Sequence, residues 1–199
     1  MKKLLTLFAA VLCAATASAQ IEIDVESPYG PGKMPFNDEG QVVFSKVVHV
    51  EGKDKAQLYS MARLLITEMF KSAKDVIQLE DKDGGVIVAK GWSEANEDHN
   101  CQIWYTLRIQ CRDGRYKIDI YQIKGHKPSD YTLGVVIPPV NIAAEELTDF
   151  ECLKPNGTIK LRGKGFWRRS VIDAANSLMA TIEYKMSQST TAIDTSEDW

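Results

Sequence analysis

Residues 101–124 read CQIWYTLRIQCRDGRYKIDIYQIK, two alternating runs joined by Asp113-Gly114. A pair of this kind between alternating runs is the strongest short-range signal for a β-hairpin. Counting outward from the two loop residues sets Arg112 opposite Arg115, Cys111 opposite Tyr116, Ile109 opposite Ile118, and Leu107 opposite Ile120. Side chains alternate across a strand. One face therefore carries Ile103, Tyr105, Leu107, Ile109, Cys111, Tyr116, Ile118 and Ile120, and it needs a cover. The other carries Trp104, Thr106, Arg108, Gln110, Lys117, Asp119, Tyr121 and Ile123. On it Arg108 faces Asp119, a cross-strand charge pair worth about 0.2–1 kcal/mol. A slip of one residue would drive Arg108 into the core, so the register is firm. Such a hairpin needs further strands and a layer over its apolar face.

The chain opens MKKLLTLFAAVLCAATASAQ. A basic start, an apolar run from Leu4 to Ala15 and an Ala17-Ser18-Ala19 site describe a secretory signal peptide over residues 1–19, too short to span a membrane. Its removal leaves 180 of the 199 residues, enough for one domain. It also removes Lys2 and Lys3, which takes the net charge from −3 to −5. No later apolar run reaches the ~18 residues of a spanning helix. Leu12 before Cys13, where a lipid-anchored precursor carries a small residue, favours a soluble product in the periplasm or outside the cell.

Cys101, Cys111 and Cys152 remain. Cys101 and Cys111 lie ten positions apart on one strand, roughly 30 Å, beyond disulfide reach. Either could bridge to Cys152, or all three stay as buried thiols. There is no CxxC and no cysteine-histidine cluster to suggest zinc.

Around the hairpin the order reads β-α-β-β-β-β-α. Residues 20–40, rich in Pro and Gly, form an irregular leader. Gln41 to Val50 is a strand whose inward set, Val42, Phe44, Val48 and Val50, is interrupted by Lys46. Asp54 caps a helix to about Lys74 with Leu58, Ala62, Leu65 and Met69 on one stripe, widened by Tyr59, Ile66 and Phe70. Val76 to Leu79 and Val86 to Trp92 are strands around a Gly84-Gly85 turn, and Ser93 to Asn100 is a polar loop. Gly125 to Val140 is the longest irregular segment, with Pro128, Pro138 and Pro139 excluding regular structure through it. Asn141 caps a short helix, Ile142 to Leu147. The last helix runs from about Phe166 to Ser187 on Trp167, Val171, Ala174, Leu178 and Ile182. The domain is then 41–188, with a flexible polar tail at 189–199. Both helices can cover one face of an antiparallel sheet of about five strands, a two-layer α+β fold.

QLYSMARLLITEMF after the first strand, GGVIVAKGW, YTLRIQCRDGRYKIDIYQI and the closing helix together resemble a family of exported bacterial proteins. That family has a domain of unknown function and a TBP-like fold. The resemblance covers Gln41 to Lys124 and, more loosely, the closing helix. It implies a curved antiparallel sheet roofed by helices, and it transfers no catalytic residue. It does not imply DNA binding: the TATA-binding protein uses apolar wedges and a basic saddle, whereas this chain is acidic and carries an export signal.

Chemistry is sparse. His49, His99 and His126 share no metal-ligand spacing. His99 lies near Glu94, Glu97 and Asp98, which reads as a solvated acidic loop rather than a cation site. There is no G-x-S-x-G, no P-loop and no dinucleotide fingerprint. Asn156-Gly157-Thr158 reads as a turn rather than a glycosylation site. No cofactor and no catalytic residue is expected. The candidate recognition surface is Trp104, Arg108, Asp119 and Tyr121, aromatics beside a paired charge on an open sheet face. The expected protein is an exported, non-enzymatic binding module that uses this face or the 125–140 loop. Its partner would be a protein, a glycan or another cell-envelope component, or a second copy through the sheet face. The alternative is a helix-grip-like carrier with a small apolar ligand between the sheet and the closing helix.

Overall fold

The computed structural model describes residues 27–70, 73–95 and 98–192, and of 73–74, 98–99 and 189–192 the backbone alone. The expected signal peptide and the end of the expected tail, 193–199, lie outside these residues. The elements in order are β1 (Phe44–His49), α1 (Lys55–Met69), α2 (Ala73–Val76), β2 (Ile77–Asp81), β3 (Val86–Ala95), β4 (Asp98–Arg112) and β5 (Arg115–Lys127). There follow β6 (Asp130–Thr132), β7 (Val135–Ile137), β8 (Val140–Ala143), a 3-10 turn (Ala144–Glu146), α3 (Asp149–Cys152) and α4 (Lys164–Ala192). Five strands form an antiparallel sheet in the order β1-β5-β4-β3-β2, and β8 pairs with β5 as a sixth. The strands β6 and β7 pair only with each other.

The central hairpin has the expected register, from Arg112 opposite Arg115 to Leu107 opposite Ile120, with Arg108 opposite Asp119. Its inward residues, from Ile103 to Cys111 and from Tyr116 to Ile120, are buried. They share one apolar cluster with Leu58, Ala62, Leu65 and Ile66 of α1 and Val171, Leu178 and Ile182 of α4. Both long helices thus roof the same face, and Lys185 of α4 reaches Glu68 of α1 at 3.3 Å. The hairpin tip also fastens α1. Gly114, at φ 70°, donates its N–H to Lys53 O, while Asp113 Oδ1 accepts from the Lys55 N–H at 2.8 Å. Asp54 and Gln57 complete a capping box at the same helix end.

Lys46, the one charge on the inward side of β1, lies opposite Ile118 near the sheet edge and pairs with Glu183 of α4 at 2.7 Å.

The structure corrects several expectations. Ile123 is not on the outer face: it is buried among the inward residues. Between Trp104/Lys124 and Thr106/Tyr121 the ladder gains one residue on β5, and Gln122 takes φ 53°. This bulge reverses the alternation beyond it. The polar stretch 93–100 is mostly strand, since β3 runs to Ala95 and β4 starts at Asp98. Val76 closes a short helical turn and β2 begins at Ile77. The prolines of 125–140 bound strands rather than abolish them. β5 continues to Lys127, before Pro128, and the β6–β7 hairpin fits between Pro128 and Pro138. Asn141 does not cap a helix; it lies in β8, opposite His126, and only a 3-10 turn follows. Helix α4 extends past Ser187 to Ala192.

Arg168 is the least expected core residue. It is 0% exposed, on the α4 turn after Trp167. Its Nε donates to Tyr29 O, Nη1 to Leu147 O, and Nη2 to Gly30 O and Asp149 Oδ1, at 2.7–3.1 Å. One side chain thereby ties the N-terminal leader and the 147–149 segment to the closing helix. Cys101, Cys111 and Cys152 are buried thiols not joined in disulfides, and Asn156 Oδ1 organises the 154–157 turn by accepting from Thr158.

Candidate functional site

Alternation sends Ser45 and Val47 of β1, Lys117, Asp119 and Tyr121 of β5, and Thr106, Arg108 and Gln110 of β4 to the face away from the helices. Register then builds the polar centre. Asp119 Oδ2 accepts from Arg108 Nε at 3.0 Å and Nη2 at 2.7 Å. Oδ1 accepts from Lys117 Nζ at 2.9 Å and from the Ser45 hydroxyl. The Arg108 guanidinium also sits 5.8 Å from the centre of the Tyr121 ring.

Asp119 is only 1% exposed, although its face is open. Burial pushes its carboxyl up, but the hydrogen bonds from Ser45, Lys117 and Arg108 outweigh that and hold it below its ordinary value. It is therefore an ionised anchor at neutral pH, with no proton to give. It orients two cations whose side chains remain over 40% exposed. The leader supplies a wall. Pro35, Phe36, Asn37, Gln41 and Val43 line, with Ser45, Arg108, Lys117, Asp119 and Tyr121, an open cleft of about 490 Å³.

Three of the four residues singled out in the sequence thus meet in one cleft. Trp104 shares the face but not the cleft. Buried Thr106, bonded to Gln122 Oε1 at 2.9 Å, lies between them along β4. Trp104 is instead opposite Trp92 of β3, has its ring edge-on to His126 at 6.3 Å, and is 47% exposed. With Trp92, Lys90 and Lys124 it lines a second open groove.

Charge on this face departs from the acidic balance of the chain. By the register it presents Lys90, Arg108, Arg112, Arg115, Lys117 and Lys124 against Asp81, Glu94 and Asp119. Summed charge bounds what a protein meets at long range, but the local patch decides what it holds. Lys117 and Ser45 could have been read from spacing, since each falls beside Asp119 on the same face. Trp92 required the β3–β4 register. Phe36 carries no periodic signal at all.

Three buried groups suited to covalent chemistry, the Cys111 and Cys152 thiols and the Tyr116 phenol, are held toward their protonated forms. Burial pushes the Cys111 thiol up to about 12 and the Tyr116 phenol up to about 12. Burial likewise raises Cys152, against lesser opposition from Arg168, Lys160 and Lys164. Among the described residues no group of three His, Cys, Asp or Glu is placed to hold a metal. Leu107, Ile109, Ile118 and Ile120 lie in the cluster that holds Leu178 and Ile182, at 1% exposure or less. Their burial in one cluster argues against the carrier alternative, which needs space between sheet and helix. The cleft at Leu178 is open to solvent; Met69, Phe70, Trp92, Tyr105 and Ala174 line it together with Ser93, Glu94, Ser177 and Thr181.

The comparisons with known proteins agree with this architecture. The crystal structure of a DUF4468 family protein from Bacteroides ovatus is similar at 25% identity and TM-score 0.61, covering 80% of this chain and 93% of that chain. A TBP-like protein from Parabacteroides distasonis, 20% identical, shows the same fold at TM-score 0.58, covering 77% of this chain and 97% of that chain. No match is found among curated proteins. Residues 44–125 match the family model described as a domain of unknown function (DUF4468) with TBP-like fold, close to the stretch that carried the sequence resemblance. The stretch from the first strand through the first long helix and the central hairpin is thus similar to a domain of unknown function (DUF4468) with a TBP-like fold.

Proposed function

We propose that this protein is an exported, non-enzymatic binding module whose open sheet face recognises an anionic partner in the cell envelope, an acidic protein segment or glycan. One observation carries the reading. Arg108 and Lys117 are held by a single ionised, buried carboxylate, beside Tyr121 and Phe36, in a cleft that solvent reaches. Asp119 accepts bonds from both cations but neutralises only one, so the cluster keeps a net positive charge. An aromatic wall beside a preorganised guanidinium suits a ring-bearing or planar anionic group. Preorganisation lowers the entropic cost of binding. The export signal at residues 1–19 supports an envelope or extracellular location.

The test is capture from an envelope extract with the chain from Gln20, comparing wild type with Arg108→Ala/Tyr121→Ala. A partner that wild type retains at low salt, releases at high salt, and that the variant fails to retain is the expected result. Equal recovery of every partner by both proteins ends the sheet-face proposal.

A further inference from the structure

The least accounted-for surface is the β6–β7 finger. Thr132 and Val135 close a two-residue loop in which both Leu133, φ 51°, and Gly134, φ 82°, take left-handed backbone. Such turns favour Asn, Asp or Gly at the first loop position because a Cβ is strained there. Leu133 occupies it nonetheless and is 98% exposed. Strain at a non-glycine residue that gains no packing within its own chain points to a use for the side chain.

The rest of the finger agrees. Tyr131 lies opposite Val136 on one face, and Thr132 opposite Val135 and Asp130 opposite Ile137 on the other. Tyr131, Val135, Val136 and Ile137 are all exposed, so neither face has a cover. A lone two-stranded hairpin is marginal in water, and this one leaves its apolar groups in solvent on both sides.

Charge distinguishes the possible occupants. From Tyr131 to Ala143 the sequence holds no charged residue. Asp130, at the root, is engaged by the Tyr131 N–H at 2.7 Å. At the same root β5 carries Lys124 and Lys127. His126 there pairs with Asn141 and packs edge-on with Trp104, itself opposite Trp92. An uncharged tip, a tyrosine along its length and a collar of tryptophan and lysine is the ordering found across a bilayer interface: acyl region, glycerol level, anionic headgroups. A protein groove or a second copy would cover one face of a hairpin; exposed apolar side chains on both faces and at the tip suit a surrounding medium. Three residue pairs at ~3.3 Å per residue give a reach of roughly 10 Å, the depth at which interfacial elements bury.

We propose that residues 130–137 form a membrane-inserting finger, with Leu133 at its tip, that docks the module on an anionic phospholipid surface. The proposal rests on reading the chain as an exported binding module, and it names the partner of the 125–140 segment rather than of the Arg108 cleft.

The test is flotation of the chain from Gln20 with vesicles of phosphatidylcholine containing a minority of phosphatidylglycerol. Three proteins are compared: wild type, Leu133→Asn/Val136→Ser, and Arg108→Ala/Tyr121→Ala. Asn suits the left-handed position, so the finger variant keeps its turn, which an unchanged urea midpoint verifies. Wild type and the cleft variant are expected to float alike, and the finger variant to bind about tenfold less, because interfacial affinity scales with buried apolar area. The proposal is overturned if wild type does not float, or if the finger variant floats equally well. A concentration-dependent dimer that the finger substitutions dissolve, without vesicle binding, also overturns it and assigns the finger to a second copy. Because the cleft variant keeps the finger, loss of the sheet-face partner and loss of lipid binding are read separately.

Discussion

Arg168 Nη2 lies 2.7 Å from Asp149 Oδ1, and the guanidinium that carries it is completely buried while the carboxylate is 47% exposed. The pair forms a bolt between the closing helix and the segment that precedes it. Three backbone carbonyls, Tyr29, Gly30 and Leu147, share the same guanidinium. An arginine can satisfy this set because its donors fan out in one plane, whereas lysine offers a single point charge.

Arg168→Met should therefore cost stability well beyond its lost contacts, since three carbonyls and one oxygen of the Asp149 carboxylate lose their donor together. The expected loss is about 3–5 kcal/mol, read as a fall in the urea midpoint. Arg168→Lys should recover only part of it. A loss below about 1 kcal/mol in the Met variant would show that water replaces the guanidinium without cost.

Asp119 should make stability depend on acid. Its folded-state carboxyl titrates below its ordinary value of 3.8. The stabilisation is therefore complete at pH above 3.8 and declines as pH falls through the folded-state value. Asp119→Asn cannot titrate. At pH 7 wild type should exceed it by about 1–2 kcal/mol, discounted for the exposure of Arg108 and Lys117. The gap should narrow below pH 3.8. Urea unfolding of both proteins across that range checks it, and a gap independent of pH would contradict the assigned ionisation.

Gly125 admits the Trp167 ring to the sheet. A Cβ there would fall 2.9 Å from Ile142 Cγ2 and closer still to the indole. Gly125→Ala should cost about 1–3 kcal/mol through overpacking, with Trp167 emission shifted to the red as the ring is displaced toward solvent. The same change at Gly134, where nothing lies within 4 Å, meets strain from its φ of 82° alone.

The fold was legible where pattern and turn chemistry agree. Asp113-Gly114 set the inward face, and the steps of Leu58, Ala62 and Leu65 and of Trp167, Val171 and Leu178 placed both helices on it. Reading stopped where a single backbone irregularity intervened: Gln122 adds one residue, and every later side chain on β5 changes sides. The β6–β7 finger was hidden because its prolines read as breakers, although they stand outside the paired residues. Arg168 was hidden because a charged residue on a helix reads as solvent-facing, and its partners are carbonyls far away in sequence. Of the candidate site, Arg108, Asp119 and Tyr121 followed from the register. Phe36 did not, because the leader has no period, and the basic character of the face was masked by the overall acidic charge.

Everything proposed for function requires that the face bearing Trp104 and Arg108 is open in the isolated protein while the opposite face is sealed. Hydroxyl-radical footprinting of the native chain, read residue by residue, measures this directly. Trp92, Trp104 and Tyr131 should be modified rapidly, and Tyr116 and Trp167 only after denaturant is added. Protection of Trp104 together with Trp92 in the native monomer would contradict the account, because it would mean that the proposed recognition face already has a cover.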